Sequence, residues 1–229
     1  MKNHHRTDRP TGWATRLAAQ LRLPHYRFLL PILQHYFADL GRVTVVSVND
    51  GSVPAPASTR DVRFVNLPPL VPSEYEALLC AADLMLTDNA VSVSLGKAVC
   101  SLTPCALLRN GFDLAALRER CSDPIGALAI AMENERPGAI FPYDVFPVWD
   151  ETTLRDLGFH YSSAYGQAFS QLELFGGEST RTAIAALLFD PTTRSKMRES
   201  QRRYIAEVEG LPSAAEAIVT RLGVNKALD

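Results

Sequence analysis

The chain of 229 residues is long enough for one large domain or two small ones, and its residues are 47% hydrophobic and 21% charged. These values exclude a disordered or fibrous chain. The 23 basic and 25 acidic side chains give a net charge of −2, which argues against chain-wide binding of nucleic acid. No apolar run reaches the roughly 18–20 residues of a membrane span, and no secretory signal opens the chain. We therefore expect a cytoplasmic protein with no membrane span and no nucleic-acid partner.

The start of the chain differs in charge from the rest. Residues 1–27 hold six basic side chains and one acidic side chain, a net charge of +5 that leaves −7 for residues 28–229. Leu17 and Leu21 are spaced as on one face of a helix, which predicts an amphipathic helix over residues 12–22. The predicted organisation is a basic N-terminal arm followed by one Rossmann-like domain over residues 28–229. A nucleic-acid-binding arm is disfavoured, because its few aromatic side chains form no stacking platform.

The cysteines indicate neither a metal site nor a disulfide framework. No C-x-x-C pair and no Cys/His cluster with zinc spacing occurs, so no metal is expected. Each cysteine lies in or beside an apolar run, which predicts buried free thiols in a reducing cytosol. The four are Cys80, Cys100, Cys105 and Cys121.

The first predicted domain elements are a helix and two strands. The helix covers residues 25–39, with Pro31 either kinking it or moving its start. Residues 43–48 are almost continuously β-branched, the pattern of a strand buried on both faces. A loop over residues 49–60 leads to a short strand over residues 62–65.

The middle of the chain repeats this alternation of helix and strand. Ser73 is predicted to be the N-cap of a helix over residues 74–82, with Glu76 completing a capping box. A strand over residues 84–87 and a helix over residues 91–101 follow. The later predicted segments are a strand over 105–108, a helical stretch over 112–132 interrupted near 122–124, and a fifth strand over 139–145.

From residue 150 onward the pattern is helical. Asp190 is predicted to cap a helix that has Pro191 in its first turn. Apolar strands alternating with helices predict an α/β fold: a Rossmann-like, mostly parallel sheet with helices on both faces and a helical C-terminal tail. The predicted helices of the tail cover residues 153–157, 163–175, 179–189, 191–209 and 213–222.

Residues 75–108 combine a helix that ends in Ala81-Ala82-Asp83, an apolar strand, a turn of small residues that opens the next helix at 88–94, and Pro104 before the following apolar strand. This order and spacing resemble the nucleotide-sugar-binding half of GT-B glycosyltransferases. The resemblance extends over residues 28–222 and implies that the N-terminus of the helix after residue 90 meets the donor pyrophosphate.

The resemblance implies a set of donor-binding residues at the carboxyl ends of the strands, where ligands of such sheets bind. A UDP- or TDP-type nucleotide sugar is the implied donor, with no tightly bound cofactor and no assigned catalytic residue. A competing interpretation is that Asp88 only caps its helix while the serines face solvent. The implied donor residues are Asn66, Asp88, Asn89, Ser92, Ser94, Lys97, Glu173 and Glu178.

Two positions depart from the family pattern. Lys97 stands where the family has an acid that holds the ribose hydroxyls, and a lysine cannot accept those hydrogen bonds. Glu173 or Glu178 would take over that contact, although Glu178 is equally suited to the first turn of a helix. Leu102 stands where the family has a glycine.

The chain also has length for only the donor half, and no apolar strand precedes the helix at residue 12. That first strand is central in the doubly wound order, so its absence should leave neighbouring strand edges unpaired or force them together. A protein partner, a second copy or sequence upstream of Met1 would supply the missing half. The alternative function is a non-catalytic auxiliary module, with an eroded donor site, that partners a separate transferase.

Three further residues are candidates for contact with a ligand. Trp149 would stack on a base or sugar, or else cover the sheet edge. Asp150 would bind a hydroxyl or cap the next helix. His160 is the one histidine close in chain order to the proposed loops, where it would act as a general base.

Overall fold

The computed structural model describes residues 26–48, 56–89, 92–120, 122–142, 162–213 and 216. The predictions for the 12–22 helix, Cys121, Trp149, Asp150 and His160 lie outside these residues. In chain order the elements are α1 (Tyr26–Phe37), β1 (Val43–Val48), β2 (Val62–Leu67), α2 (Pro72–Ala81), β3 (Met85–Thr87), α3 (Val93–Cys100), β4 (Cys105–Arg109), α4 (Leu114–Glu119), α5 (Pro124–Glu135), α6 (Ala164–Gln167), β5 (Ser170–Glu173), α7 (Glu178–Phe189) and α8 (Pro191–Glu209).

These elements confirm the α/β class with parallel strands, flanking helices and a helical C-terminal stretch. Every strand pairing between described residues is parallel: β1 with β2, β3 with β4, and β4 with β5. Leu107 in the middle of β4 lies opposite Thr87 on one side and Gln171 on the other. Among the described helices, none is long and apolar enough to cross a membrane.

The strands form two sheets instead of one. β1 and β2 make a two-stranded sheet, and β3, β4 and β5 make a three-stranded sheet. Both sheets contribute to one core: Val62 and Phe64 of the first meet the same buried cluster as Ala106 and Leu172 of the second. Within the described strands, the outer edges of both sheets are unpaired: β1 and β2 in the first sheet, β3 and β5 in the second.

Helices cover β4 on both faces. Ala106 and Leu108 point into the large core with α1, and Cys105 and Leu107 pack with α3 on the opposite side. β1 behaves differently, because Thr44 and Val46 on one of its faces are exposed. The prediction that residues 43–48 are buried on both faces is therefore wrong for this strand.

Capping residues predicted from the sequence have mixed outcomes. The Asp190 side chain accepts hydrogen bonds from the N–H groups of Thr192 and Thr193 at the start of α8, as predicted. Ser73 is not the cap of α2, because the helix already begins at Pro72, whose fixed φ suits the first helical position. The capping box with Glu76 is consequently not formed.

The fifth strand lies elsewhere than predicted. Residues 163–175 contain only the short helix α6 and then β5, while residues 139–142 are not in a strand. β5 exists because it pairs with β4 from Ala106 to Arg109. A four-residue strand with a single buried side chain, Leu172, carries too little periodicity to be recognised without that partner.

Candidate functional site

Four of the predicted donor residues lie close in the chain between the carboxyl end of β3 and the first turn of α3. They are Asp88, Asn89, Ser92 and Ser94. Asp88 is buried and Asn89 is half-buried. The Asn89 N–H donates to the Thr87 hydroxyl over 3.3 Å, and the Asn89 carbonyl accepts from the Ser92 N–H. The turn is thus held by its own backbone and side chains.

Ser92, and not Asp88, caps α3. Its hydroxyl accepts a hydrogen bond from the Ser94 N–H over 3.2 Å, and its carbonyl accepts from Leu95 and Gly96. The capping role proposed for Asp88 is wrong, since a cap must stand immediately before the first helical residue. The Ser94 hydroxyl accepts from the Tyr75 hydroxyl over 2.9 Å, so it contacts α2.

The first turn of α3 is open to solvent. Val93 is its first residue, and 74% of that side chain is exposed. An exposed helix N-terminus carries a partial positive charge and suits an anion. Asn66 lies on β2 in the other sheet and is half-buried.

Lys97 does not extend freely from the site. Its ammonium group pairs with the Glu76 carboxylate of α2, and both side chains are partly exposed. The pair neutralises the ammonium group of this predicted donor residue. Glu76 had been predicted to close a capping box, and the packing of α2 beside α3 gives it this partner instead.

Leu102 lies in the turn that ends α3. Leu102 has φ of +58°, in the left-handed region that glycine adopts readily. The Thr103 N–H donates to the Ala98 carbonyl and the Leu102 N–H donates to the Val99 carbonyl. These two bonds form a Schellman motif, which a leucine rather than a glycine occupies here.

Glu173 at the end of β5 supports the neighbouring loop. Its carboxylate accepts a hydrogen bond from the Gly111 N–H over 2.9 Å, and Arg109 lies at 4.0 Å. Glu178 is largely exposed in the first turn of α7, 3.9 Å from Arg181. Either acid was expected to supply the ribose contact in place of Lys97. Glu173 is instead bonded to the loop at Gly111, and Glu178 faces solvent.

A buried cluster beside Glu173 escaped sequence reasoning. The Tyr36 hydroxyl donates to the Leu174 carbonyl over 2.6 Å and accepts from the Gly177 N–H over 3.2 Å. Burial raises the pKa of Tyr36 to about 12. The Arg120 guanidinium donates to the Phe175 carbonyl over 2.9 Å. The loop after β5 is therefore fixed by α1 and by the end of α4.

Arg120 also pairs with Asp123 at 2.9 Å. Burial works to raise the pKa of Asp123, but the Ile125 N–H and the Arg120 guanidinium outweigh it and hold the pKa below its usual value. Gly177 has φ of +66°, which strains any residue with a side chain, and an added Cβ would lie 2.9 Å from an Asp123 carboxylate oxygen, which would have to shift. The adjacent Gly176-Gly177 pair was the only signal of this cluster in the sequence.

The cysteines are not uniformly buried. Cys105 is buried, and burial raises the pKa of its thiol to about 12. Cys80 and Cys100 are exposed, so the prediction of burial is wrong for them, because they lie on the outward sides of α2 and α3. Among the described residues no group of three His, Cys, Asp or Glu side chains is placed to hold a metal ion.

The chain belongs to a family described as Family of unknown function (DUF6365), whose model matches residues 12–223. The match spans every described element from α1 to α8. No curated protein and no solved structure matches the chain. The family description names no activity, so function has to be argued from the fold and from the residues at the carboxyl ends of the strands.

Proposed function

We propose that the chain binds the diphosphate of a UDP- or TDP-type nucleotide sugar at the N-terminus of α3, as the donor half of a GT-B-type glycosyltransferase. The observation that carries this proposal is the placement of α3. It begins directly beyond the carboxyl end of β3, and its first turn is exposed at Val93. Parallel α/β sheets bind ligands at that edge, and helix N-termini bind phosphates there.

The remaining donor contacts are assigned by position. Ser92 and Ser94 would add hydroxyl groups to the phosphate site, and Asn66 would meet the base. Glu173 or Glu178 would accept from the ribose hydroxyls. Because Lys97 is neutralised by Glu76, the helix N-terminus supplies most of the attraction, and we expect a dissociation constant near ~1 mM rather than a tight site.

The test is titration of UDP and TDP by calorimetry and ligand-observed NMR with the wild type and a Val93→Glu variant. A carboxylate in the first turn of a helix stabilises the helix but repels a diphosphate, so this variant should fold at least as well and lose nucleotide binding. Val208→Glu, also on an exposed apolar side chain, is the matched control. Absence of UDP and TDP binding to the wild type at ~10 mM, well above the expected dissociation constant, would refute the proposal.

A second function is favoured by the split sheet. β1, β2, β3 and β5 each keep an unpaired edge within the described strands, and open edges invite pairing with another chain. On this view the chain is an auxiliary module, and a partner protein or a second copy supplies the missing half of a transferase. Co-purification of a stable heteromer, in which this chain stimulates a transferase without binding donor itself, would support it. A monomer with intact UDP binding would contradict it.

A further inference from the structure

A shallow groove lies where α7 meets α8. Its volume is about 400 Å³. α7 starts beyond the carboxyl end of β5 and runs for twelve residues, about 18 Å, before it reaches this groove. The groove therefore lies at the opposite end of α7 from the carboxyl end of β5. Its walls combine the apolar side chains of Leu188, Phe189 and Pro191 with the basic side chains of Arg194, Arg198 and Arg202.

The three arginines lie on one face of α8. Their spacing is i, i+4 and i+8, which stacks side chains along a helix. Arg194 is occupied, since it donates to the Leu188 carbonyl over 2.7 Å and lies 3.9 Å from Asp83. Within the described part of the chain, Arg198 and Arg202 make no ion pair and no hydrogen bond. Like charges at this spacing destabilise a helix, and no ion pair or hydrogen bond between described residues offsets that cost for Arg198 and Arg202.

The apolar wall of the groove is also left open. Phe189 ends α7 and is 56% exposed. A large exposed aromatic side chain next to unpaired guanidinium groups is typical of protein-binding surfaces, where aromatic and arginine side chains are enriched. Residues 28–229 carry a net charge of −7, so a basic groove among them is a local exception. Such a groove favours an acidic partner.

We propose that this groove docks an acidic helical segment of a partner protein. Two or three carboxylates at i, i+4 and i+8 would pair with the arginine stripe, and one apolar side chain between them would pack on Phe189. Guanidinium groups bind carboxylates in a bidentate fork. The apolar wall favours a peptide over a nucleic-acid backbone, which would need several basic contacts and stacking platforms.

The test uses fluorescence anisotropy with a fluorescein-labelled helical peptide of about twelve residues, with Glu at i, i+4 and i+8 and Leu between them. We expect the double variant Arg198→Gln/Arg202→Gln to weaken binding about tenfold, through the loss of two exposed ion pairs. Arg203→Gln is the matched control, because Arg203 is exposed on the same helix and bonds to Ser200. Phe189→Ser should also weaken binding, and the peptide with Gln for Glu should bind weakly or not at all.

Several results would overturn this inference. One is equal affinity of the Glu and Gln peptides. A second is the same loss in Arg203→Gln as in the double variant. A third is binding of a single-stranded RNA oligonucleotide that is tighter than the peptide and insensitive to Phe189→Ser, which would identify a general polyanion surface. Urea denaturation of each variant separates loss of binding from loss of fold.

Discussion

Replacing Tyr36 by Phe removes one oxygen atom from the point where α1 packs against the loop after β5. Tyr36 is fully buried, and its hydroxyl bonds both the Leu174 carbonyl and the Gly177 N–H. Leu174 is itself fully buried, so water cannot replace the lost partner without rearrangement. The substitution conserves the aromatic ring and its packing, which isolates the two hydrogen bonds.

The expected cost follows from these two bonds. Leaving a buried polar group unsatisfied costs about 1–3 kcal/mol. The bond to Leu174 is short at 2.6 Å and the bond from Gly177 is longer at 3.2 Å, so the first should dominate. We expect Tyr36→Phe to lower the free energy of unfolding by about 2–3 kcal/mol.

Urea denaturation followed by circular dichroism at pH 7 measures this cost. Tyr204→Phe is the matched control, because no hydrogen bond of the Tyr204 hydroxyl occurs among the described residues, and its expected loss is below about 0.5 kcal/mol. The urea dependence should be unchanged in both variants. A loss below about 0.5 kcal/mol for Tyr36→Phe, or equal losses in the two variants, would refute the assigned role of the hydroxyl.

Further predictions concern pH, backbone conformation and the ion pair. The Tyr36 pKa rises from 10.0 to about 12 on folding, so the unfolded state loses this proton first and the wild type loses stability above pH 10. The stability gap to Tyr36→Phe should therefore narrow in urea titrations between pH 9 and 11, and a constant gap would contradict this. Gly177→Ala should cost about 1–3 kcal/mol in thermal or urea unfolding, because its φ of +66° strains a residue with a Cβ and the Asp123 carboxylate would have to shift. Gly96→Ala, with open space around its Cβ, should stabilise α3 by about 0.5–1 kcal/mol in the same assay. Lys97→Ala should change stability by less than about 1 kcal/mol and leave UDP affinity within twofold in calorimetry, since the lysine pairs with α2.

Local signals predicted most of the elements. The Asp190-Pro191 start of α8 needs only neighbouring residues, because the cap bonds N–H groups two and three positions away. The interrupted helix over 112–132 was confirmed as α4 and α5, with Asp123 and Pro124 at the break. The prediction that Asp88 caps α3 was wrong, because several polar residues in this turn are suited to the N-cap position. Which of them is the cap depends on the residue at which the helix begins, and that makes it Ser92.

The sequence by itself determined the α/β alternation and the parallel pairing of the strands. These follow from hydrophobic period and from chain order, which are properties of short segments. Only the tertiary structure decided which polar groups near the proposed site remain available. The ion pair of Lys97 with Glu76 joins residues 21 positions apart in the chain, and the hydrogen bond from Gly111 to Glu173 joins residues 62 positions apart. Contacts at such separations depend on how whole helices and strands pack, and no pattern within a short window encodes them.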